Sequence, residues 1–160
     1  MEFKPVPAKI TDPKVGLTKA EHYCAYQERS QQEVRNKLYD WGLYPRDVEQ
    51  ILSTLIENNF LSEERFAKAY VQGKFNQKGW GRIKIKQGLK LKRVPDVLIR
   101  KALSIIDTDA YEQALKHTLE KKARLLNEKN AYKRNYKLQQ YALNRGFESE
   151  LVADMLKDLE

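Results

Sequence analysis

The sequence predicts an all-α protein: three tandem three-helix, helix-turn-helix-like repeats forming an elongated array that can curve. Three observations carry this. From Thr18 onward proline is sparse and apolar residues recur at three- and four-residue steps, the period of a helix with one buried face. The apolar set Val34, Leu38, Leu43, Val48, Ile51, Leu52 and Leu55 returns 51 residues later as Ile85, Leu89, Val94, Ile99, Ala102, Leu103 and Ile106. It returns again after 53 more as Leu138, Ala142, Phe147, Val152, Met155, Leu156 and Leu159, in a chain that is only 41% hydrophobic. A period of this length marks stacked helical units, none of which can bury its apolar face alone. Finally, a glycine or proline (Gly42 and Pro45, Pro95, Gly146) stands in each set where one helix must give way to the next.

Taken in order, residues 1–17 read as a flexible N-terminal arm, because Pro5, Pro7, Pro13 and Gly16 interrupt any period. Repeat 1, residues 18–61, opens with a helix from Thr18 to about Glu28 whose Ala20, Tyr23, Cys24 and Tyr26 supply apolar surface. Ser30 and Glu33 have capping-box spacing for the next helix, and Gly42 is placed for a left-handed stop. Pro45 suits the first turn of a third helix reaching about Asn58. Repeat 2, residues 62–107, starts at a Ser62 cap with Glu63 and Glu64 in the first turn, where the helix end is positive. Its leading helix runs to about Asn76, Gly79-Trp80-Gly81 form a hinge into the second helix, and Pro95 starts the third. Repeat 3, residues 108–160, has helices from Asp109 to about Asn127, from Ala131 to Asn144 with Gly146 as the stop, and from Ser149 to Leu159.

A chain of 160 residues buries about two-thirds of its unfolded surface and can fold without staples. Its one cysteine, Cys24, excludes an intramolecular disulfide framework and suits a reducing compartment. No apolar run approaches membrane-spanning length and no leader pattern is present, so a cytoplasmic protein without membrane association is expected.

Charge is unevenly placed. Residues 73–101 hold ten basic side chains and one acidic one, a local charge of +9 where the whole chain carries +8. Residues 18–64 are acidic, net −4, and residues 116–145 are basic, net +7. Localised positive charge on a folded element is the footprint of a surface that meets a polyanion.

Catalytic chemistry is not visible. His22 and His117 stand alone, without metal-ligand spacing, so a solvated or structural role is the plainer reading for both, and no metal or other cofactor is expected. Cys24 lies on the apolar side of its helix and reads as a buried, inert thiol. Gly79-Trp80-Gly81 lacks the context of a phosphate-cradling loop, and its glycines instead permit a tight helix–helix turn. What remains is charge with aromatics. If Ile85 and Leu89 face the core, Ile83, Lys86 and Lys90 line the opposite stripe, flanked by Lys84 and Leu91, with Lys74 and Lys78 ending the preceding helix. Trp80 has two readings: packing between repeats 2 and 3, or a half-exposed ring inside the basic strip. In repeat 3, Tyr132, Tyr136 and Tyr141 alternate with Lys133, Arg134, Lys137 and Arg145. That interleaving suits phosphate contacts with base stacking, and suits equally lysine stems laid over a tyrosine core.

Several of these stretches together resemble one family. Ser30-x-x-Glu33-Val34-x-x-Lys37-Leu38, Asn59-Phe60-Leu61-Ser62-Glu63-Glu64-Arg65-Phe66-Ala67 and Gly79-x-Gly81-x-x-x-Ile85-x-x-x-Leu89 look like the RecX regulatory proteins of bacteria, over nearly the whole chain from Thr18. Arg82 stands where the family commonly has proline, and Ser62-Glu63 replaces a more usual pair of aspartates; both keep the cap chemistry. The resemblance implies a non-enzymatic modulator of the RecA recombinase in homologous recombination, DNA repair and the SOS response; a monomer is expected. Such proteins are held to lie along the groove of the RecA filament on single-stranded DNA, dampening ATP hydrolysis, strand exchange and co-protease activity. The filament contacts expected here are Lys74, Lys78, Arg82, Lys84, Lys86, Lys90, Arg93, Lys133, Arg134 and Lys137, with weak, non-specific, salt-dependent DNA binding and Gly79, Trp80 and Gly81 as the structural hinge.

Two other classes stand beside this one. A stand-alone helix-turn-helix DNA-binding protein would read bases with a third helix, yet the third helices carry Asp47, Glu49 and Glu57, or Glu150, Asp154 and Asp158, where Arg, Asn or Gln is wanted. A protein–protein adaptor would use its charge only for solubility. A gel shift with bare DNA at two salt concentrations separates all three: sequence-selective binding marks the first, no binding the adaptor, and weak, unselective, salt-sensitive binding with loss of RecA ATPase the regulator.

Overall fold

A computed structural model describes residues 8–159 and divides the chain into two compact units, Met1–Phe66 and Ala67–Glu160, the division falling within the fourth helix. Among the described residues there are nine α-helices: α1 Pro13–Tyr26, α2 Gln31–Trp41, α3 Pro45–Glu57, α4 Glu63–Asn76, α5 Arg82–Leu91, α6 Asp96–Leu103, α7 Thr108–Leu125, α8 Ala131–Asn144 and α9 Ser149–Asp158. They group in threes, as the apolar period requires. No helix among the described residues is long and apolar enough to cross a membrane.

The first unit is closed by local chemistry that the sequence announces. Ser30 Oγ accepts from the Glu33 amide at 3.0 Å while Glu33 accepts from the Ser30 amide at 3.1 Å, so the capping box is complete and two orphan donors are satisfied. Such a cap is worth about 1 kcal/mol. Gly42 ends α2 at φ 109°, and its amide reaches back to the carbonyls of Leu38 and Tyr39. The core gathers Ala20 and Cys24 of α1, Val34 and Leu38 of α2, Leu43, and Val48, Ile51, Leu52 and Leu55 of α3. Burial pushes the Cys24 thiol up to about 11. Alkylation by iodoacetamide at pH 8 should therefore be negligible in the folded chain and fast after denaturation, as mass spectrometry would read.

Three expectations need correction here. The helix expected from Thr18 begins at Pro13, so residues 13–17 are not part of an arm. Asp12 accepts from the Lys14 amide at 2.9 Å, and Pro13 fits the first helical position, where a missing amide costs nothing. Gly16 is buried where a side chain would overlap the Leu43 methyls, so it permits packing instead of breaking the helix. Residues 1–7 of the expected arm lie outside the described residues. Second, Tyr26 supplies no core surface, being 83% exposed, whereas Tyr23 packs edge-on against Trp41 with the Arg29 guanidinium 3.7 Å from its ring centroid. Third, Leu159 stays 39% exposed, and Leu103, Ile106 and Met155 are half-buried; the other members of the apolar period are buried as expected.

At the end of the first unit, Ser62 Oγ accepts from the Arg65 amide in the first turn of α4, and in the second unit Pro95 holds the position before α6. Tyr111, Leu115 and Leu119 of α7 pack with Leu138 and Ala142 of α8, Phe147, and Val152 and Leu156 of α9. The Tyr111 ring lies 5.9 Å from Phe75 and 5.2 Å from Phe147, centroid to centroid.

Candidate nucleic-acid interface

The hinge does more than turn the chain. Gly79 has φ 69°, a left-handed conformation that glycine adopts without strain. Gly81 caps α5 with ordinary extended backbone, and its small size serves close approach: a Cβ there would overlap the Gly146 carbonyl carbon and oxygen. Through that contact the Gly81 amide donates to the Arg145 carbonyl at 2.8 Å and the Ile83 amide donates to the Gly146 carbonyl at 2.9 Å. Orphan donors at the start of α5 thus meet orphan acceptors past the end of α8, and opposite helix-dipole ends face each other. Repeats 2 and 3 are joined backbone to backbone at the point where the cations begin.

Arg82, the first residue of α5, is committed to this joint. Its guanidinium pairs with Glu148 at 2.7 Å and lies 3.9 Å from the Tyr111 ring centroid, while its amide donates to the Tyr111 hydroxyl at 3.0 Å. That hydroxyl in turn donates to Glu148. Burial, and then the neighbouring Glu148 carboxylate, raise the Tyr111 hydroxyl above its ordinary pKa.

Trp80 sits half-buried beside the joint. The Lys74 ammonium is 4.7 Å and the Lys84 ammonium 4.6 Å from its ring centroid, a double cation–π arrangement. Lys78, Lys86, Lys90 and Arg93 are exposed, as is Ile83, so α5 presents the outward stripe its period implies while Ile85 and Leu89 are fully buried. Lys74 of α4 and Lys84 of α5 therefore flank one aromatic ring, while Lys78 lies exposed in the turn after α4 and Lys86 and Lys90 lie exposed on α5. Arg145, absent from the expected contacts, belongs with them: it donates to the Lys78 carbonyl at 3.0 Å and to the Tyr141 hydroxyl at 2.9 Å. Lys122 adds its ammonium 4.8 Å from the Tyr141 ring. The Tyr141–Arg145 spacing of four on one helix is the sequence signal that could have found it.

Lys133, Arg134 and Lys137 stand toward the other end of α8 from Arg145. They occupy the N-terminal half of α8, about 12–18 Å along the helix from Arg145 at 1.5 Å per residue. Lys133 is exposed, Lys137 pairs with Glu128 at 3.1 Å, and Arg134 turns inward to the carbonyls of Ala123 and Leu126. Beside them Tyr132 is 82% and Tyr136 57% exposed, which rules out a tyrosine core under lysine stems for these two. His22 and His117 are both exposed.

Comparison with known proteins agrees along the chain. Family models for the first, second and third three-helix domains of RecX match residues 17–55, 62–103 and 109–156. The regulatory protein RecX of Prosthecochloris aestuarii is 31% identical over 93% of this chain and 96% of its own length. That of Haemophilus influenzae strain PittGG is 33% identical over 82% of this chain and 86% of its own. The crystal structure of RecX from Lactobacillus salivarius, 23% identical and covering 92% of this chain and 96% of that one, shares the fold with a TM-score of 0.83. With three domain models in register and relatives aligned over nearly their full length, the chain belongs to the RecX family of regulatory proteins.

Proposed function

We propose that this chain is a negative modulator of the RecA recombinase, binding RecA filaments on single-stranded DNA and reducing their ATP hydrolysis, strand exchange and co-protease activity. Family membership supplies the regulatory role. The observation that favours a nucleoprotein filament is the Trp80 ring flanked by Lys74 and Lys84, an aromatic face among phosphate-seeking cations, with Lys78, Lys86 and Lys90 exposed in the same stretch of chain. The acidic repeat 1 would meet protein and the basic α4–α5 surface would meet the DNA backbone. No covalent step is needed, since holding neighbouring RecA subunits in one arrangement, or occluding an incoming strand, is enough.

Titration into a RecA–single-stranded DNA ATPase assay tests this directly. Inhibition should weaken as salt rises, because each neutralised phosphate releases counterions. Lys86→Glu with Lys90→Glu should raise the concentration needed for half-inhibition by about tenfold or more, and Lys86→Ala with Lys90→Ala should reduce the salt slope by about 1.4. Unchanged inhibition by the charge-reversed chain would remove these lysines from the interface. Sequence-selective binding to bare duplex DNA, with no effect on RecA, would replace the reading by a stand-alone DNA-binding one.

A further inference from the structure

Repeat 3 carries a groove at the place where, in the other two repeats, the segment after the third helix packs against the leading helix. Its volume is about 730 Å³, and it is lined by Leu119 and Ala123 of α7, Leu138 of α8, Leu156 of α9 and Leu159 just past its end. Charged side chains at its edge are Glu120, Arg124 and Arg134.

The leading helices can be aligned by burial. Ala20 and Cys24, Ala67 and Val71, and Leu115 and Leu119 are the same buried pair, four residues apart, in α1, α4 and α7. Val71, Gln72, Phe75 and Asn76 are therefore the counterparts of Leu119, Glu120, Ala123 and Arg124. In repeat 2 those α4 residues share a remnant cavity of only about 200 Å³ with Ile105, Ile106, Asp107 and Ala110, the segment that follows α6. In repeat 1 the segment after α3 does the same. The Phe60 and Leu61 amides both turn back to the Leu55 carbonyl, at 2.9 and 3.2 Å, and Leu61 joins the core beside Cys24, Leu52 and Leu55.

The two filling segments share one chemistry. Each is an apolar pair, Phe60-Leu61 or Ile105-Ile106, followed by a helix cap, Ser62 or Asp107, and then carboxylates in the first turn, Glu63 and Glu64 or Asp109. Against this pattern, Leu159, which follows the third helix of repeat 3, is 39% exposed where Leu55, in the last turn of that of repeat 1, is buried, and an exposed Arg124 stands where repeat 2 has an exposed Asn76. Arg134 is held by its bonds to the Ala123 and Leu126 carbonyls at the end of α7, and with Glu120 the rim keeps one net positive charge.

We infer that the repeat 3 groove is a docking site for a segment of a partner protein of that same kind: an apolar pair followed, at a helix start, by carboxylates. The pair enters over Leu119, Leu138 and Leu156, and the first carboxylate meets Arg124. This surface is separate from the α4–α5 lysines and stands whether or not those lysines meet DNA.

The chain's own segment is the probe. A fluorescent peptide copying residues 103–110, Leu-Ser-Ile-Ile-Asp-Thr-Asp-Ala, titrated with the full chain, should give a saturable rise in anisotropy below about 1 mM. The same peptide carrying Ile105→Ser and Ile106→Ser should bind at least about tenfold more weakly, and so should the parent peptide to Ala123→Trp or Arg124→Glu chains. Arg124 is exposed, so its reversal should leave the thermal midpoint unchanged and report on docking alone. No saturation by the parent peptide, or binding indifferent to both Arg124→Glu and Leu159→Asp, overturns the proposal. Concentration-dependent self-association that Leu159→Asp abolishes would give the groove to a second copy and overturn it equally.

Discussion

Gly81→Ala should cost the second unit about 3 kcal/mol, near the upper end for overpacking, and lower its thermal midpoint by more than roughly 10 °C. The added methyl would overlap the Gly146 carbonyl carbon and oxygen. Both are backbone atoms and cannot swing away as a side chain would. Relief requires the two chains to part, which stretches the Gly81–Arg145 and Ile83–Gly146 hydrogen bonds and leaves amides at the start of α5 and carbonyls past α8 without partners. Gly146 offers no compensating freedom, because its φ of 97° and its contact with Lys84 already fix it. Gly73→Ala is the control: it lies inside α4 with open space around the added methyl and should stabilise by about 0.5–1 kcal/mol. Circular dichroism melts of the two variants decide the matter. A Gly81→Ala chain melting within about 2 °C of the parent would show that the joint carries no stability.

What could be read beforehand follows from the range of the interactions. Capping at Ser30, the Gly42 stop and the buried faces of α2, α3, α5 and α8 depend on residues within a few positions, and the sequence displays them. The α1 start is not legible because Pro13 and Gly16 look like breakers by pattern alone, although proline suits a first helical turn and a glycine can be chosen for its size. The site divides in the same manner. Lysines on the outward stripe of α5 follow from period alone. The commitment of Arg82 to Glu148, 66 residues away, and the approach of Gly81 to Gly146 are tertiary contacts with no local trace. Charge counting groups Lys133, Arg134 and Lys137 with the α5 lysines because all are basic; along α8 they stand about 12–18 Å from Arg145, which the joint holds.

Arg82 and Lys86, both counted as filament contacts from sequence, should part in experiment. Glu148→Ala is expected to cost about 2 kcal/mol, because the buried Tyr111 hydroxyl loses its acceptor and the partly exposed Arg82 guanidinium its charge-assisted hydrogen bond. Arg82→Ala should cost about 2 kcal/mol, losing the ion pair and the cation–π contact over Tyr111. The double variant should cost clearly less than the sum of the two, a coupling of about 1 kcal/mol or more, since each single change already breaks the shared contact. Lys86→Ala, on an exposed stripe, should leave stability within about 0.5 kcal/mol and act on DNA affinity instead. Denaturant unfolding paired with salt-dependent DNA binding reads both axes for each variant. If Arg82→Ala reduced the salt slope as much as Lys86→Ala without destabilising the fold, its guanidinium would be meeting phosphate and not Glu148.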